Sequence, residues 1–115
     1  MNEAKAVQVQ VSPLFLKRLK DLAKRYRQVQ QDIQPIIETL QKGDFLGDRI
    51  VGTGYTVLKV RAKNRDIPVG KSGGYRVIYQ VLSPQLVVLL LIYAKSEQSD
   101  VTAEEIIEAI NRIED

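Results

Sequence analysis

The sequence predicts an α+β fold. An N-terminal strand and a helical hairpin pack on a mainly antiparallel sheet of about four strands, and a C-terminal helix closes the domain. Three observations predict it. Valine alternates with glutamine near the start of the chain, the period of a strand. Two apolar stripes at helical spacing follow between residues 13 and 42. Three strand-like runs then lie back to back from Tyr55 to Tyr93, ahead of a last helical pattern. The 115 residues are expected to form one domain, 1–115, with no internal repeat and no dividing linker.

In chain order, Ala6 to Val11 reads as a half-buried strand. Ser12 is a good N-cap and Pro13 is favoured at a first helical position. Phe15, Leu19, Leu22 and Tyr26 then form one apolar face, with Lys17, Lys20, Lys24 and Arg25 largely off it. A second helix is expected from about Asp32 to Lys42, with Asp32 as its cap and Pro35 in its first turn. Ile33, Ile36, Ile37 and Leu40 are its stripe, and Gly43 stops it.

Asp44 to Gly54 reads as a loop. Tyr55 to Ala62 reads as a strand with Leu58, Val60 and Ala62 on one face and Val57, Lys59 and Arg61 on the other. Lys63 to Gly74 is a basic, glycine-containing loop. Tyr75 to Leu82 is a strand that separates Arg76, Ile78 and Gln80 from Tyr75, Val77 and Tyr79. Ser83-Pro84 fits a tight turn. Leu86 to Tyr93 is apolar on both faces, the mark of a central, doubly covered strand. Thr102 and Glu105 have the spacing of a capping box, and Ala103, Ile106, Ile110 and Ile113 follow at helical spacing.

Composition narrows the chemistry. Hydrophobic residues make up 44% and charged residues 27%, which is globular rather than disordered. There is no histidine and no cysteine, so no Ser-His-Asp or Cys-His nucleophile system can be built. Zinc and iron–sulfur sites of the usual nitrogen or sulfur kind are excluded too. Without cysteine no disulfide forms, which fits a reducing compartment. No cofactor is expected. The longest apolar run, Leu86 to Tyr93, is far short of the roughly 20 residues of a membrane-spanning helix. The N-terminus shows no targeting signal, so a soluble, cytoplasmic protein with no membrane partner is expected.

The net charge of +3 is unevenly spread. Residues 1–95 carry sixteen Lys/Arg against seven Asp/Glu, whereas residues 96–115 carry one Arg against seven acids. A basic body points to an anionic partner, with nucleic acid the first candidate, or to solvated charge that keeps a small protein soluble. The acidic tail either lies near the basic face or faces only solvent.

Three stretches could carry chemistry. Lys59 and Arg61 share a strand face, which suits gripping a phosphate or, alternatively, guarding an edge strand. Gly70-Lys-Ser-Gly-Gly-Tyr-Arg76 lets backbone approach a ligand, or is a flexible basic hairpin loop. It is not a Walker A loop, because Arg65 stands where that motif needs glycine and a strand follows instead of a helix. Tyr93 and Lys95 share a face at the mouth of an apolar strand, where a lysine is either partly desolvated or simply solvated. Basic residues from three successive strands and one glycine loop can converge on a single sheet face. Such a constellation suits RNA cleavage, because the nucleophile is the substrate's own 2′-hydroxyl and neither metal nor histidine is required.

These pieces resemble a known family. Leu46-Gly-Asp-Arg-Ile50 with Gly52-Thr-Gly54, Lys59-Val-Arg61, Gly70-Lys-Ser-Gly-Gly-Tyr-Arg-Val-Ile-Tyr79 and Ile92-Tyr-Ala-Lys-Ser-Glu97 are similar, in order and spacing, to RelE-superfamily toxins of bacterial type II toxin–antitoxin modules, nearest the HigB branch. The resemblance covers nearly the whole chain. It implies a RelE-like fold and ribosome-dependent endonucleolytic cleavage of mRNA. The implied partners are a cognate antitoxin, the 70S ribosome with mRNA, and operator DNA only through the antitoxin. It implies that Lys59, Arg61 and Arg76 bind or polarise the scissile phosphate, that Lys71 sits in the family's glycine loop, and that Tyr93 and Lys95 form a strand-end pair near the site; Lys63, Arg65, Lys71 and Ser72 of the basic loop are expected to bind RNA. Some RelE toxins use a later tyrosine, and none follows Tyr93 here. The alternatives are a ParE-like module that poisons DNA gyrase and an inactive, antitoxin-binding co-repressor.

Overall fold

The computed structural model describes residues 6–66 and 73–114. Its elements are β1 (Gln8–Val11), α1 (Pro13–Ala23), α2 (Val29–Gln41), β2 (Asp48–Arg49), β3 (Val57–Ala62), β4 (Tyr75–Ser83), β5 (Leu86–Ala94) and α3 (Ala103–Asn111), ending in a short 3-10 turn at Arg112–Glu114. The strands form one sheet in the order β1-β5-β4-β3-β2. β1 runs parallel to β5 and the other pairs are antiparallel. The architecture is the expected α+β arrangement, with a fifth strand added. That strand, β2, lies inside the stretch expected to be a loop. Two residues are too few for a period, and they pair because Gly47 lets the chain come close to β3. A Cβ at position 47 would sit 2.5 Å from the Lys59 carbonyl oxygen, and the residue holds φ at +112°.

Helices α1 and α2 cover one face of the sheet, over Val60, Ala62, Tyr75, Val77, Tyr79, Val87, Leu89 and Ile92. Ser12 caps α1 by accepting the Phe15 N–H at 3.0 Å, and Phe15, Leu19 and Leu22 are buried as their spacing predicts. The second helix departs from expectation. It starts at Val29, not near Asp32, and Pro35 is its seventh residue. The start is set from outside: the Gln28 N–H donates to the Asp66 carboxylate at 2.9 Å. Burial of Val29, Ile33, Ile36 and Leu40 outweighs the backbone hydrogen bond that Pro35 gives up. Asp32 is not a cap. It is buried and accepts from the Arg65 backbone N–H at 2.9 Å and from the Arg65 Nε. Tyr79, its hydroxyl pushed up to about 12 by burial, donates to the Leu46 carbonyl.

The opposite face is covered mainly by α3, over Ile78, Val88, Leu90, Leu91 and Tyr93, with Leu14, Ile50 and Val101 packed beside it. Thr102 caps α3 in a complete capping box with Glu105, as its spacing predicts. β5 is covered on both faces but is not regular. Its pairing with β4 slips between Ile78↔Leu91 and Tyr79↔Leu89, which leaves Leu90 as an extra residue. Leu90 and Leu91 therefore both point towards α3. Among the described residues no helix is long and apolar enough to cross a membrane.

Candidate functional site

Three strands bring the cations together. Arg61 of β3 is directly opposite Arg76 of β4, and Arg76 is directly opposite Tyr93 of β5. Directly paired residues share a sheet face, so Arg61, Arg76 and Tyr93 form a row across it. Lys59 lies two residues before Arg61 and joins the same face. Placing two arginines opposite each other costs stability in the absence of an anion. Arg76 is partly held: its Nη1 donates to the Gly73 carbonyl at 2.5 Å and to the Tyr75 carbonyl at 3.3 Å. Gly74 sets this corner. Its φ is +69°, and a Cβ there would collide with the Ala62 carbonyl oxygen, so only glycine lets β4 begin against the end of β3.

The bulge in β5 decides where Tyr93 goes. Strict alternation from Val87 would send Tyr93 to the α1–α2 side, and the extra residue sends it to the cationic face instead. Tyr93 is buried, and its hydroxyl donates to Asp100 Oδ1 at 3.3 Å. Burial, helped by the Asp100 charge, pushes that hydroxyl up to about 12, with Arg76 acting in the opposite sense.

Asp100 is the residue that sequence reasoning missed. Its Oδ1 accepts from Lys59 Nζ at 3.4 Å and from the Val101 N–H at 2.8 Å, besides Tyr93. These partners, the Val101 N–H first and then the Lys59 charge, hold its carboxyl below the usual range. The acidic tail was the available signal, and this one acid of it reaches the basic face. The segment between β5 and α3 is tied down at several other points. Glu97 accepts from Arg25 Nε and Nη2 at 2.8 and 2.9 Å and from the Tyr26 hydroxyl at 2.7 Å. Lys95 is exposed, not desolvated, and its Nζ donates to the Ser99 carbonyl at 2.6 Å. A cleft of about 300 Å³ lies beside Tyr93, between α1 and this segment, with Arg18, Asp21, Arg25 and Glu97 on its walls.

The remaining candidates are spread. Lys63 is exposed just beyond β3. Arg65 is drawn towards α2 by its pair with Asp32, and about half of its side chain stays exposed. Lys71 and Ser72 lie outside the described residues. Among the described residues no three acidic side chains converge to hold a metal ion.

Residues 9–99 match the family model described as the ParE toxin of the type II toxin–antitoxin system, parDE. No curated protein matches the chain. Among solved structures, an E. coli RelE toxin carrying two arginine-to-alanine changes, in the free state, superposes with a TM-score of 0.55. It shares 19% identity, over 94% of this chain and 98% of that one. At that identity the likeness speaks for the fold, which is RelE-like. Neither match singles out the HigB branch.

Proposed function

The chain belongs to the RelE/ParE superfamily of type II toxin–antitoxin toxins, and on that premise we propose that it is a ribosome-dependent mRNA endonuclease. The family implies a cognate antitoxin as partner. The observation that carries the nuclease reading is the row Arg61–Arg76–Tyr93 with Lys59 beside it, on the sheet face that α3 covers only in part.

In this reading Arg76 and Arg61 grip the scissile phosphate, and Lys59 neutralises charge that develops on its oxygens. The 2′-hydroxyl of the preceding ribose attacks phosphorus in line. The O2′–P bond forms as the P–O5′ bond breaks; the 2′-hydroxyl proton passes to solvent water, and the departing 5′-oxygen takes a proton from the Tyr93 hydroxyl, which solvent then restores. The products are a 2′,3′-cyclic phosphate and a 5′-hydroxyl. Tyr93, pushed up to about 12, keeps its proton at neutral pH and acts as a donor rather than a base. Lys95 has a secondary role at the strand end. Lys63, Lys71 and Ser72 serve the flanking RNA backbone, and Arg65 joins them with a guanidinium already paired to Asp32.

The test adds wild-type protein or the Arg76→Ala variant to a translating bacterial extract and maps mRNA 5′ ends by primer extension. New ends inside the reading frame are expected with wild type, and about a hundredfold fewer with the variant. Equal cleavage by the variant removes Arg76 from the site. A second reading, a gyrase poison, draws on the family model being that of ParE toxins. Accumulation of gyrase–DNA cleavage complexes without new mRNA ends would establish it.

A further inference from the structure

We infer that Asp100 is a positioning residue of this reaction centre, its carboxylate holding the Lys59 ammonium and the Tyr93 hydroxyl as one proton-handling pair. The inference rests on the nuclease reading. Lys59 and Tyr93 come from β3 and β5, with β4 between them. A single oxygen, Asp100 Oδ1, meets both. That oxygen is itself fixed, because it accepts the Val101 N–H at 2.8 Å, the shortest of its three contacts.

The segment carrying Asp100 is braced on both sides. Gln98 Nε2 donates to the Asp100 carbonyl at 2.9 Å, and Lys95 spans to Ser99. Upstream, Glu97 is forked onto Arg25. Downstream, Thr102 begins α3 with its capping box. The carboxylate is thus delivered to the site by backbone as well as charge, whereas an ordinary surface acid is free to swing. Its side chain is 63% exposed against 30% for Lys59, so the Lys59 contact sits at the rim of the buried Tyr93.

The consequence concerns protons. Tyr93 faces Asp100 from the connecting segment and Arg76 from β4, and it shares a cleft with Arg18 and Asp21 of α1, with Arg25 just beyond that helix and with Glu97. The Asp100 charge and hydrogen bond both favour the neutral phenol, on top of burial. Asp100 therefore aims the Tyr93 hydroxyl, while drawing the Lys59 ammonium to the same point. It acts through these two groups rather than on the phosphate.

The experiment uses the full chain with Asp100→Asn and Asp100→Glu, each checked for wild-type thermal unfolding. Cleavage of a defined mRNA on programmed ribosomes is measured as kcat and KM. Alkaline titration of the free protein, labelled at tyrosine Cζ, is followed by NMR. Asp100→Asn is expected to lower kcat by at least about tenfold, a part of what a positioned proton-transfer group supplies, with KM within about twofold of wild type. Asp100→Glu is expected to recover part of the loss. Tyr93 in Asp100→Asn is expected to titrate below Tyr93 of the wild-type protein, because the Asp100 charge and hydrogen bond both raise it. Unchanged kcat, or faster cleavage with tighter mRNA binding, would overturn the inference and make the carboxylate a competitor of the phosphate. An unmoved Tyr93 titration would overturn it as well. If wild type cuts no mRNA, the nuclease reading fails on its own, and the titration still decides whether Asp100 governs Tyr93.

Discussion

The two faces of the sheet are made by the same strands and differ in what covers them. On one face, α1 and α2 close over an unbroken apolar layer from Val60 to Ile92, and the charged pair there, Asp32 with Arg65, lies at its margin. On the other, α3 is a single nine-residue helix that covers Ile78, Val88, Leu90 and Leu91. Beyond its reach the face carries Lys59, Arg61 and Arg76. The first face holds the fold together. The second gives up apolar cover to concentrate positive charge, at a cost in repulsion that an anionic ligand would relieve. Stability and the proposed chemistry are thus separated by one sheet's thickness.

Substitutions can break or sharpen that contrast. The largest effect is expected on the covered face. Phe15→Ala removes a fully buried ring and should cost about 3–5 kcal/mol, a large share of a small domain's stability, read by urea unfolding. Arg61→Ala on the open face should instead change unfolding stability by less than about 0.5 kcal/mol while weakening RNA cleavage. A cost above that would make the arginine row structural. Asp32→Asn tests the margin: it exchanges a buried carboxylate with two donors for an amide, and a loss of about 2 kcal/mol is expected by thermal or urea unfolding. Thr102→Ala should cost about 1 kcal/mol, seen first as faster amide exchange across α3, because it removes the cap of the helix that covers part of the open face.

The smallest effect concerns pH. Glu97 is lowered chiefly by its hydrogen bond to Arg25, and Asp100 chiefly by the Val101 N–H. A carboxyl lowered by folding contributes stability above its unfolded value, and that contribution fades as pH falls through the folded value. From about pH 4 downwards, amide protection in the segment between β5 and α3 should therefore fall before that of β4 and β5. Simultaneous loss in both regions would show that the segment is not an independent unit.

Much of this was legible along the chain. Ser12-Pro13 and Thr102 with Glu105 start their helices by contacts within four residues, so local sequence carries the whole signal. The faces of β3 and β4 follow from period two, and they place Lys59, Arg61 and Arg76 together. The start of α2 was not legible, because the group that holds its first turn is Asp66, 38 positions away. Nor was β2, which is too short to show a pattern and pairs because Gly47 fits against Lys59.

Periodicity, and neighbours a few residues apart, are enough to set the α+β class, the helix caps, the core residues and the cations of the open face. Tertiary structure alone decided the composition of the site around those cations. A bulge at Leu90 turned Tyr93 to the cationic face, and the connection out of β5 carried Asp100 back onto Lys59. It also drew Arg65 to Asp32 across 33 positions. The reason is physical: a bulge is chosen by how well β5 packs between two layers, and an ion pair by what lies within a few ångströms in space. Neither leaves a period or a spacing in the chain.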